Sequence, residues 1–200
     1  MPRALIFSDI HSDKSALEKL MQTDADVYFA AGDLVNWGRG INKMGEVMQS
    51  RAGQVYVLPG NHESAADVER FCGEFGFHNF HAGTAEIAGV RFAGLGYSTV
   101  TPFDTPGEYS EQEIAAHLVK FVDWKPQVLI CHSPPLDTAL DRIKEGLHAG
   151  SRSVREFIEQ QQPAYFFCGH IHEAAGVTIQ MGATRAMNVG KAGYLLEFQA

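Results

Sequence analysis

Five short motifs in this 200-residue chain carry imidazole, carboxylate and amide side chains, which are ligand types for divalent metal ions. The motifs are Asp9-Ile10-His11, Gly32-Asp33, Gly60-Asn61-His62-Glu63, Cys131-His132 and Gly169-His170-Ile171-His172. This mixture of ligands suits Mn, Fe or Zn better than it suits a soft site made only of thiolates. Together the motifs supply enough side chains to hold two metal ions side by side.

Taken one at a time, most of these motifs are weak signals. Asp-x-His and Gly-Asp occur more often in ordinary turns, and a single histidine such as His132 usually serves a structural hydrogen bond. The strongest is Gly169-His170-Ile171-His172, in which two histidines flank an apolar residue directly after an apolar run. All five motifs follow an apolar run that reads as a strand, so we expect the ligands on loops at one end of a sheet.

The elements that must position these loops alternate between strand and helix patterns in the first part of the chain. This alternation predicts βαβ units, with parallel strands and helices packed outside them. The predicted strands here are Ala4–Phe7, Val27–Ala30 and Gln54–Leu58, and the predicted helices run through Ala16–Met21, Ile41–Met48 and Ala65–Phe75.

From Thr84 onwards the sequence pattern predicts more strands than in the first part of the chain. A hairpin is predicted around Gly89, and the Gly-, Pro- and Thr-rich segment 94–109 is predicted to be a loop. Two capping-box patterns predict helices, one from Ser110 to about Val122 and one from Ser153 to about Gln161. The remaining predicted strands are Val128–Cys131, Tyr165–Cys168, Ala175–Gln180, Ala183–Val189 and Tyr194–Phe198.

The order of these elements predicts an α/β fold, α+β by some schemes, with four layers in the order α/β/β/α. Two mixed sheets would lie face to face with helices outside, and the metal ligands would lie at the carboxyl ends of strands. The chain contains no linker, repeat or low-complexity tract, so we expect residues 1–200 to form a single domain.

Composition limits the classes of partner. The formal net charge of -8 argues against nucleic acid, because binding to a phosphate backbone requires a basic surface. Asp9 interrupts the first apolar run too early for a signal peptide, and no apolar stretch approaches the ~20 residues of a membrane span. The lack of such a stretch predicts no membrane partner. The three cysteines have no metal-finger spacing and are predicted to be reduced and mostly buried, which favours a cytoplasmic protein.

The five motifs, in their order, resemble the signature of the calcineurin-like metallophosphoesterase superfamily. The resemblance extends from Asp9 to His172. The segment Thr101–Ser110 and the Gly-His-Ile-His-Glu ending resemble the compact single-domain phosphoesterases of bacteria and archaea.

The resemblance implies a role for each motif residue. The residues implied to bind the two metals are Asp9, His11 and His172 for the first and Asn61, His132 and His170 for the second. Asp33 is implied to bridge the two ions, and His62 to contact the phosphate and act as the general acid. The implied reaction is hydrolysis of small phosphodiesters or phosphomonoesters through a hydroxide that bridges two Mn, Fe or Zn ions.

The chain departs from the protein-phosphatase branch of this superfamily after Gly32-Asp33. Asn36 stands where that branch has an aspartate that orients the catalytic histidine, and Trp37 stands where it has a phosphate-binding arginine. We therefore expect poor activity on phosphoproteins. We also expect Asn36 to contact His62 and to weaken its role as an acid.

Two other functions remain open at this point. One is a nuclease of the same superfamily, which the acidic charge disfavours; the other is a metal-binding scaffold without catalysis, which the intact motifs disfavour.

Several residues outside the ligand set have alternative interpretations. Glu63 and Glu173 are interpreted as partners for ligand histidine N–H groups, with helix capping an equal alternative for Glu63. Tyr97, Phe103 and Tyr109 are interpreted either as an apolar wall over the site or as core residues. The remaining histidines are predicted to be surface or structural residues: His78, His81, His117 and His148.

Overall fold

The chain alternates strands and helices in its first half and is mostly strands towards its end. The computed structural model describes residues 1–199. The strands in that range are β1 Arg3–Phe7, β2 Val27–Ala31, β3 Val55–Leu58, β4 His78–Asn79, β5 Gly83–Ile87, β6 Val90–Leu95, β7 Ser98–Thr99, β8 Glu108–Tyr109, β9 Val128–Cys131, β10 Arg142–Lys144, β11 Leu147–His148, β12 Tyr165–Cys168, β13 Thr178–Met181, β14 Thr184–Asn188 and β15 Tyr194–Glu197. The α-helices are α1 Lys14–Gln22, α2 Ile41–Met48, α3 Ala65–Phe75, α4 Glu111–Leu118 and α5 Arg152–Gln161. Among these helices none combines the length and the hydropathy of a membrane span.

Two mixed sheets form the centre of the fold. The first has the strand order β15-β1-β2-β3-β4, in which β1 to β4 are parallel and β15 is antiparallel to β1. The second has the order β13-β14-β12-β9-β6-β5, in which the four inner strands are parallel and the two edge strands antiparallel. Parallel inner strands place their carboxyl ends along one edge of each sheet, where ligands of α/β folds usually bind.

The side chains of the sheets alternate between two cores, as the pleat of a strand requires. In β2, Phe29 points into the core between the two sheets, where it stacks on Phe92 with 5.2 Å between ring centroids. Its neighbour Tyr28 points to the opposite core, against α1, α2 and α3. A third core packs α4 and α5 on the outer face of the second sheet. The predicted α/β/β/α arrangement with helices outside is confirmed.

The helix starts follow the predicted capping chemistry in one case and not in the other. Ser110 and Glu113 form the predicted capping box at the start of α4. The second predicted box is wrong, because Ser151 and not Ser153 caps α5, accepting from the Val154 N–H at 3.1 Å. The Ser153 N–H instead donates to the Glu111 carboxylate at 2.9 Å. A contact between two helices therefore replaces the expected local pattern.

Segments predicted as simple loops contain short strands. In the segment 94–109, β7 pairs with β8 in parallel. After His132, β10 and β11 form an antiparallel hairpin that the sequence pattern did not predict. The strand predicted from Ala175 begins at Thr178 in the structure, because the chain is still turning there: the Val177 N–H donates to the Ala174 carbonyl at 2.9 Å.

Candidate metal centre

The ligand-type residues lie on five loops at the carboxyl ends of five parallel strands. The loops after β1, β2 and β3 of the first sheet carry Asp9 with His11, Asp33, and Asn61 with His62. The loops after β9 and β12 of the second sheet carry His132 and the pair His170 and His172. The structure brings every residue of the predicted ligand set together between the two sheets.

Four of these residues have left-handed backbone conformations, which side chains with a Cβ seldom adopt. Their φ angles are 57° at Asp9, 45° at His11, 54° at Asp33 and 68° at His170. Such conformations cost free energy and persist where surrounding contacts hold them, most often at functional sites. The left-handed turns aim the side chains back across the strand ends towards one another.

Two glycines permit the close approach of the loops. A Cβ on Gly60 would overlap the Asp33 carboxylate, and a Cβ on Gly32 would lie 2.5 Å from the His132 ring nitrogen Nδ1. Gly32 also has a φ of 97°, which favours glycine. Glycine at these positions therefore allows Asp33 and His132 to approach each other.

The first cluster consists of Asp9, His11 and His172, whose ligand atoms all lie within 4.8 Å of one another. The His11 Nδ1–H donates to the Asn36 side-chain oxygen at 2.8 Å, so the His11 Nε2 carries a lone pair. That nitrogen lies 3.0 Å from the His172 Nε2. Two bare lone pairs repel at this distance, so a proton or a cation between the rings stabilises the arrangement. The cluster fits a metal ion.

The second cluster consists of Asp33, His132 and His170, again within 4.8 Å. The Asn61 side-chain oxygen lies 2.9 Å from the His170 Nδ1 and 3.2 Å from the His132 Nε2. The His132 Nδ1–H donates to the Ala31 carbonyl at 2.9 Å, which leaves Nε2 to face the cluster. Two imidazoles, a carboxylate and an amide oxygen form a donor set that suits a borderline divalent cation.

Asp33 lies between the two clusters. Its Oδ2 is 3.6 Å from the His11 Nε2 and 3.4 Å from the His132 Nε2. Burial opposes ionisation of this carboxyl, but the charge of His132 and its hydrogen bond outweigh burial and hold the pKa well below its usual range. Burial likewise opposes a charge on His132, and Asp33 outweighs it and raises the pKa of that imidazole to about 9. Asp33 is thus an ionised carboxylate within reach of both clusters.

His62 also lies within 4.8 Å of ligand atoms of His11 and Asp33, but its hydrogen bond differs from those of His11 and His132. The Trp37 backbone N–H donates to its Nδ1 at 3.4 Å, which places the proton of the neutral ring on Nε2. Burial lowers the pKa of His62, although the nearby Asp33 charge opposes this effect. The expected contact from Asn36 to His62 is wrong, since the Asn36 side-chain oxygen accepts from His11 instead.

Glu63 was predicted to contact the candidate ligand imidazoles, but in the structure it bonds to the backbone of the loops instead. Its buried carboxylate accepts the backbone N–H groups of Asp33, Val35 and Gly60 at 3.0, 3.0 and 2.9 Å. Burial and the Asp33 charge raise the pKa of Glu63 to about 8. Glu63 therefore joins the Asp33 loop to the Asn61 loop. Glu173, the other predicted partner, is exposed and borders the adjoining cavity.

Three further supporting residues had no signal in the sequence. The Asn61 Nδ2 donates to the Thr105 hydroxyl at 3.2 Å, which turns the Asn61 oxygen towards the second cluster. The Thr105 hydroxyl in turn donates to Glu108. The Asn188 Nδ2 donates to the carbonyls of Gly169 and Ile171 at 3.1 and 2.9 Å and holds the histidine loop. Thr105 and Asn188 act across long sequence separations, so no local motif could reveal them.

The histidines outside the motifs have structural contacts. The His148 Nδ1 contacts the buried Asp141 at 2.7 Å, and the His78 Nε2 contacts the Gly53 carbonyl at 3.0 Å. His81 and His117 pack with Tyr97 and Tyr109 in an aromatic cluster. The prediction of structural or surface roles is consistent with these contacts. The three cysteines are free and buried, as predicted.

A cavity of about 400 Å³ opens against the two clusters. Its floor includes His11, Asp33 and Asn61, and the segment 99–103 forms one wall. A second cavity of about 570 Å³ also borders His11 and reaches Lys191. Volumes of this size suit small molecules.

Comparison with known proteins agrees with this geometry. The family model for calcineurin-like phosphoesterases matches residues 2–174. An uncharacterised protein of Methanocaldococcus jannaschii is 30% identical over 195 residues, which cover 94% of this chain and 88% of that protein. A solved structure from Thermus thermophilus has a TM-score of 0.75 at 18% identity, covering 96% of this chain and 90% of that one. The phosphopantetheinyl hydrolase of Mycobacterium tuberculosis has a TM-score of 0.67 at 17% identity, with coverages of 94% and 89%. The chain belongs to the calcineurin-like phosphoesterase family.

Proposed function

We propose that this protein hydrolyses small phosphodiesters or phosphomonoesters and requires two divalent metal ions. The position of Asp33 between the two ligand clusters carries the proposal. The family uses a dinuclear centre, and this chain has clustered histidine and aspartate candidates for one. The residues that would hold the ions are Asp9, His11 and His172 for the first, Asn61, His132 and His170 for the second, and Asp33 for both.

When bound, two such cations supply positive charge that acidifies water and stabilises negative phosphoryl oxygens. Hydrolysis adds water to phosphorus and breaks one P–O ester bond, and the departing oxygen takes up a proton. His62 faces the same cavity with its Nε2–H free to donate to a phosphoryl or departing oxygen. Its lowered pKa favours the neutral ring, which donates a hydrogen bond to a phosphoryl oxygen, whereas transfer of a proton to the departing oxygen requires the imidazolium form.

The size of the cavity and the charge of the chain favour small substrates. A net charge of -8 is unfavourable for long nucleic acids, which disfavours the nuclease alternative. The structurally similar protein of Mycobacterium tuberculosis is named as a phosphopantetheinyl hydrolase, which supports phosphoester chemistry on this fold. Mn, Fe and Zn all accept this ligand set.

The test combines metal analysis with hydrolysis of bis(p-nitrophenyl) phosphate. We expect two metal ions per chain, turnover that a chelator abolishes and Mn restores, and loss of both metal and turnover in Asp33→Asn. Asp24→Asn is the matched control, because Asp24 is an exposed carboxylate paired with Arg3. Fully loaded protein with one metal or none per chain would contradict the proposal, as would normal turnover in Asp33→Asn.

A further inference from the structure

The wall of the cavity opposite the clusters is built from apolar side chains. Val100 and Phe103 form part of it from the segment 99–103, and Ile143 of β10 adds to it from the hairpin. Val100 and Phe103 are each 71% exposed. Large apolar side chains are seldom left this exposed in neighbouring positions unless they contact a ligand or partner.

The segment that carries Val100 and Phe103 is held in place by hydrogen bonds beneath it. The Phe103 N–H donates to the Thr101 hydroxyl at 3.2 Å, and that hydroxyl donates to Glu108 at 2.5 Å. The Thr105 N–H also donates to Glu108, at 2.9 Å. The backbone is thus ordered by polar contacts, while the apolar side chains remain free to contact a ligand.

The charges around the cavity are unusual for a phosphate-binding site. Among residues 1–199, no lysine or arginine lines this cavity, and its charged residues other than candidate ligands and His62 are limited to Glu173. In β10 the exposed cations Arg142 and Lys144 flank Ile143, but neither lines the cavity. The cavity therefore has no side chain to neutralise a second phosphate away from the metal clusters.

We propose that this cavity binds the uncharged aryl or alkyl substituent of a phosphoester substrate. Val100, Phe103 and Ile143, here called the apolar wall, pack against that substituent while the phosphate lies over Asp33. The inference rests on the proposed function, because it assigns the substrate class of the same site.

Two p-nitrophenyl diesters test the apolar wall with a constant leaving group. The methyl and the phenyl ester of p-nitrophenyl phosphate carry the same charge and differ in the group offered to the wall. Burying a phenyl ring should raise kcat/KM for the phenyl ester roughly tenfold over the methyl ester. Titration calorimetry of the metal-loaded protein should show a similar preference for phenylphosphonate over methylphosphonate, independently of turnover.

Substitution of the wall should remove the preference. Phe103→Ser and Ile143→Ser are expected to bring the phenyl-to-methyl ratio of kcat/KM, and the ratio of phosphonate affinities, towards one. Val119→Ser is the matched control, because Val119 is 63% exposed and lies outside the cavity lining. This variant should keep the wild-type ratios.

The outcomes separate the two proposals. Hydrolysis of both esters at equal kcat/KM, with equal phosphonate affinities, would contradict the proposed role of the apolar wall in substrate binding. It would leave the proposed function unaffected. No hydrolysis of either diester, nor of the monoester p-nitrophenyl phosphate, by protein with two bound metals overturns the proposed function. The phosphonate affinities then test the apolar wall separately. A Phe103→Ser variant with unchanged ratios but a smaller assembly in sedimentation would assign the wall to contact between copies of the chain, which also overturns the inference.

Discussion

At the scale of single residues, the hydrogen bond made by one ring nitrogen determines what the other can do. His11 and His132 each donate from Nδ1, to the Asn36 oxygen and the Ala31 carbonyl, so each directs its Nε2 at the clusters. His62 accepts at Nδ1 from the Trp37 N–H and therefore keeps its proton on Nε2. These hydrogen bonds suit His11 and His132 to the proposed role of metal ligand and His62 to the proposed role of donor.

This difference predicts the behaviour of His62→Ala. The variant should keep two metals per chain and lose turnover by roughly 10²–10⁴-fold on an alkyl ester, whose departing oxygen needs a proton. The loss should be smaller on a p-nitrophenyl ester, which leaves without one. Metal analysis and turnover of both esters check this. Equal losses on both would restrict His62 to binding the phosphate.

The contact between Asn36 and His11 predicts an effect on metal affinity. Asn36→Leu removes the acceptor for the His11 Nδ1–H and should weaken metal binding by roughly 10–100-fold. Asn36→Asp should strengthen it, because a carboxylate makes the imidazole a more basic ligand. Competition with a fluorescent chelator measures both. Unchanged affinity in both variants would show that His11 needs no partner at Nδ1.

His81 predicts a pH dependence of stability away from the metal centre. Its Nδ1 accepts the Gly96 N–H at 3.2 Å, and burial, helped by His117, lowers its pKa from 6.5 to about 4. The unfolded chain therefore takes up this proton first as the pH falls. The contribution of neutral His81 to the free energy of unfolding is fully present above pH 6.5. It is lost as the pH falls from 6.5 to 4, by up to about 3 kcal/mol.

Urea unfolding of wild type and His81→Gln across this range isolates the effect. The variant cannot titrate at this position, so its free energy of unfolding should fall less steeply as the pH decreases. His78→Gln is the control, because His78 is exposed, and it should keep the wild-type slope. Identical slopes for His81→Gln and wild type would refute the prediction.

At the scale of elements, the sequence predicted those that have strong local patterns. The helix Ala65–Phe75 has the predicted bounds, and the motif strands lie where their apolar runs indicate. The hairpin of β10 and β11 was not predicted, because its strands have only three and two residues and are mostly exposed, so they show no apolar run. The same limit applies at the site. The ligand types were readable from motifs, but the contacts of Asn36 and Glu63 depend on how separate loops meet.

In the segment after β7, the contact between Thr105 and the candidate ligand Asn61 predicts an effect of Thr105 on metal affinity. Thr105→Val removes the hydroxyl that accepts from the Asn61 Nδ2, so the amide loses its fixed orientation. Affinity for the second metal should fall by roughly 10–100-fold. Thr101→Val is the matched control, because Thr101 contacts Glu108 but not Asn61. Stepwise metal titration by calorimetry distinguishes the two sites. Equal affinities in the two variants would contradict the link.

At the scale of the whole molecule, the candidate ligands come from both sheets. Asp9, Asp33 and Asn61 follow strands of the first sheet, and His132 and His170 follow strands of the second. The two sheets otherwise meet through an apolar core that includes Phe29 and Phe92. Bound metal ions would therefore join the two halves of the sandwich at one edge.

This arrangement predicts that metal stabilises the fold as a whole. At a free metal concentration 100 times the Kd, one site adds about 2.7 kcal/mol to the free energy of unfolding. We expect Mn to raise the melting temperature and a chelator to lower it, in a single transition. Asp33→Asn should respond weakly to both. A melting temperature of the wild type that is independent of Mn would contradict the prediction.

The segment between Pro134 and Gly150 organises itself around one buried carboxylate. Asp141 accepts the N–H groups of Asp137, Thr138 and Gly150 and contacts His148, so its own residues hold most of its shape. It also contributes Ile143 to the cavity wall. Changes within this segment would therefore alter the cavity wall at Ile143, whereas Asp9, Asp33 and Asn61 lie on other loops.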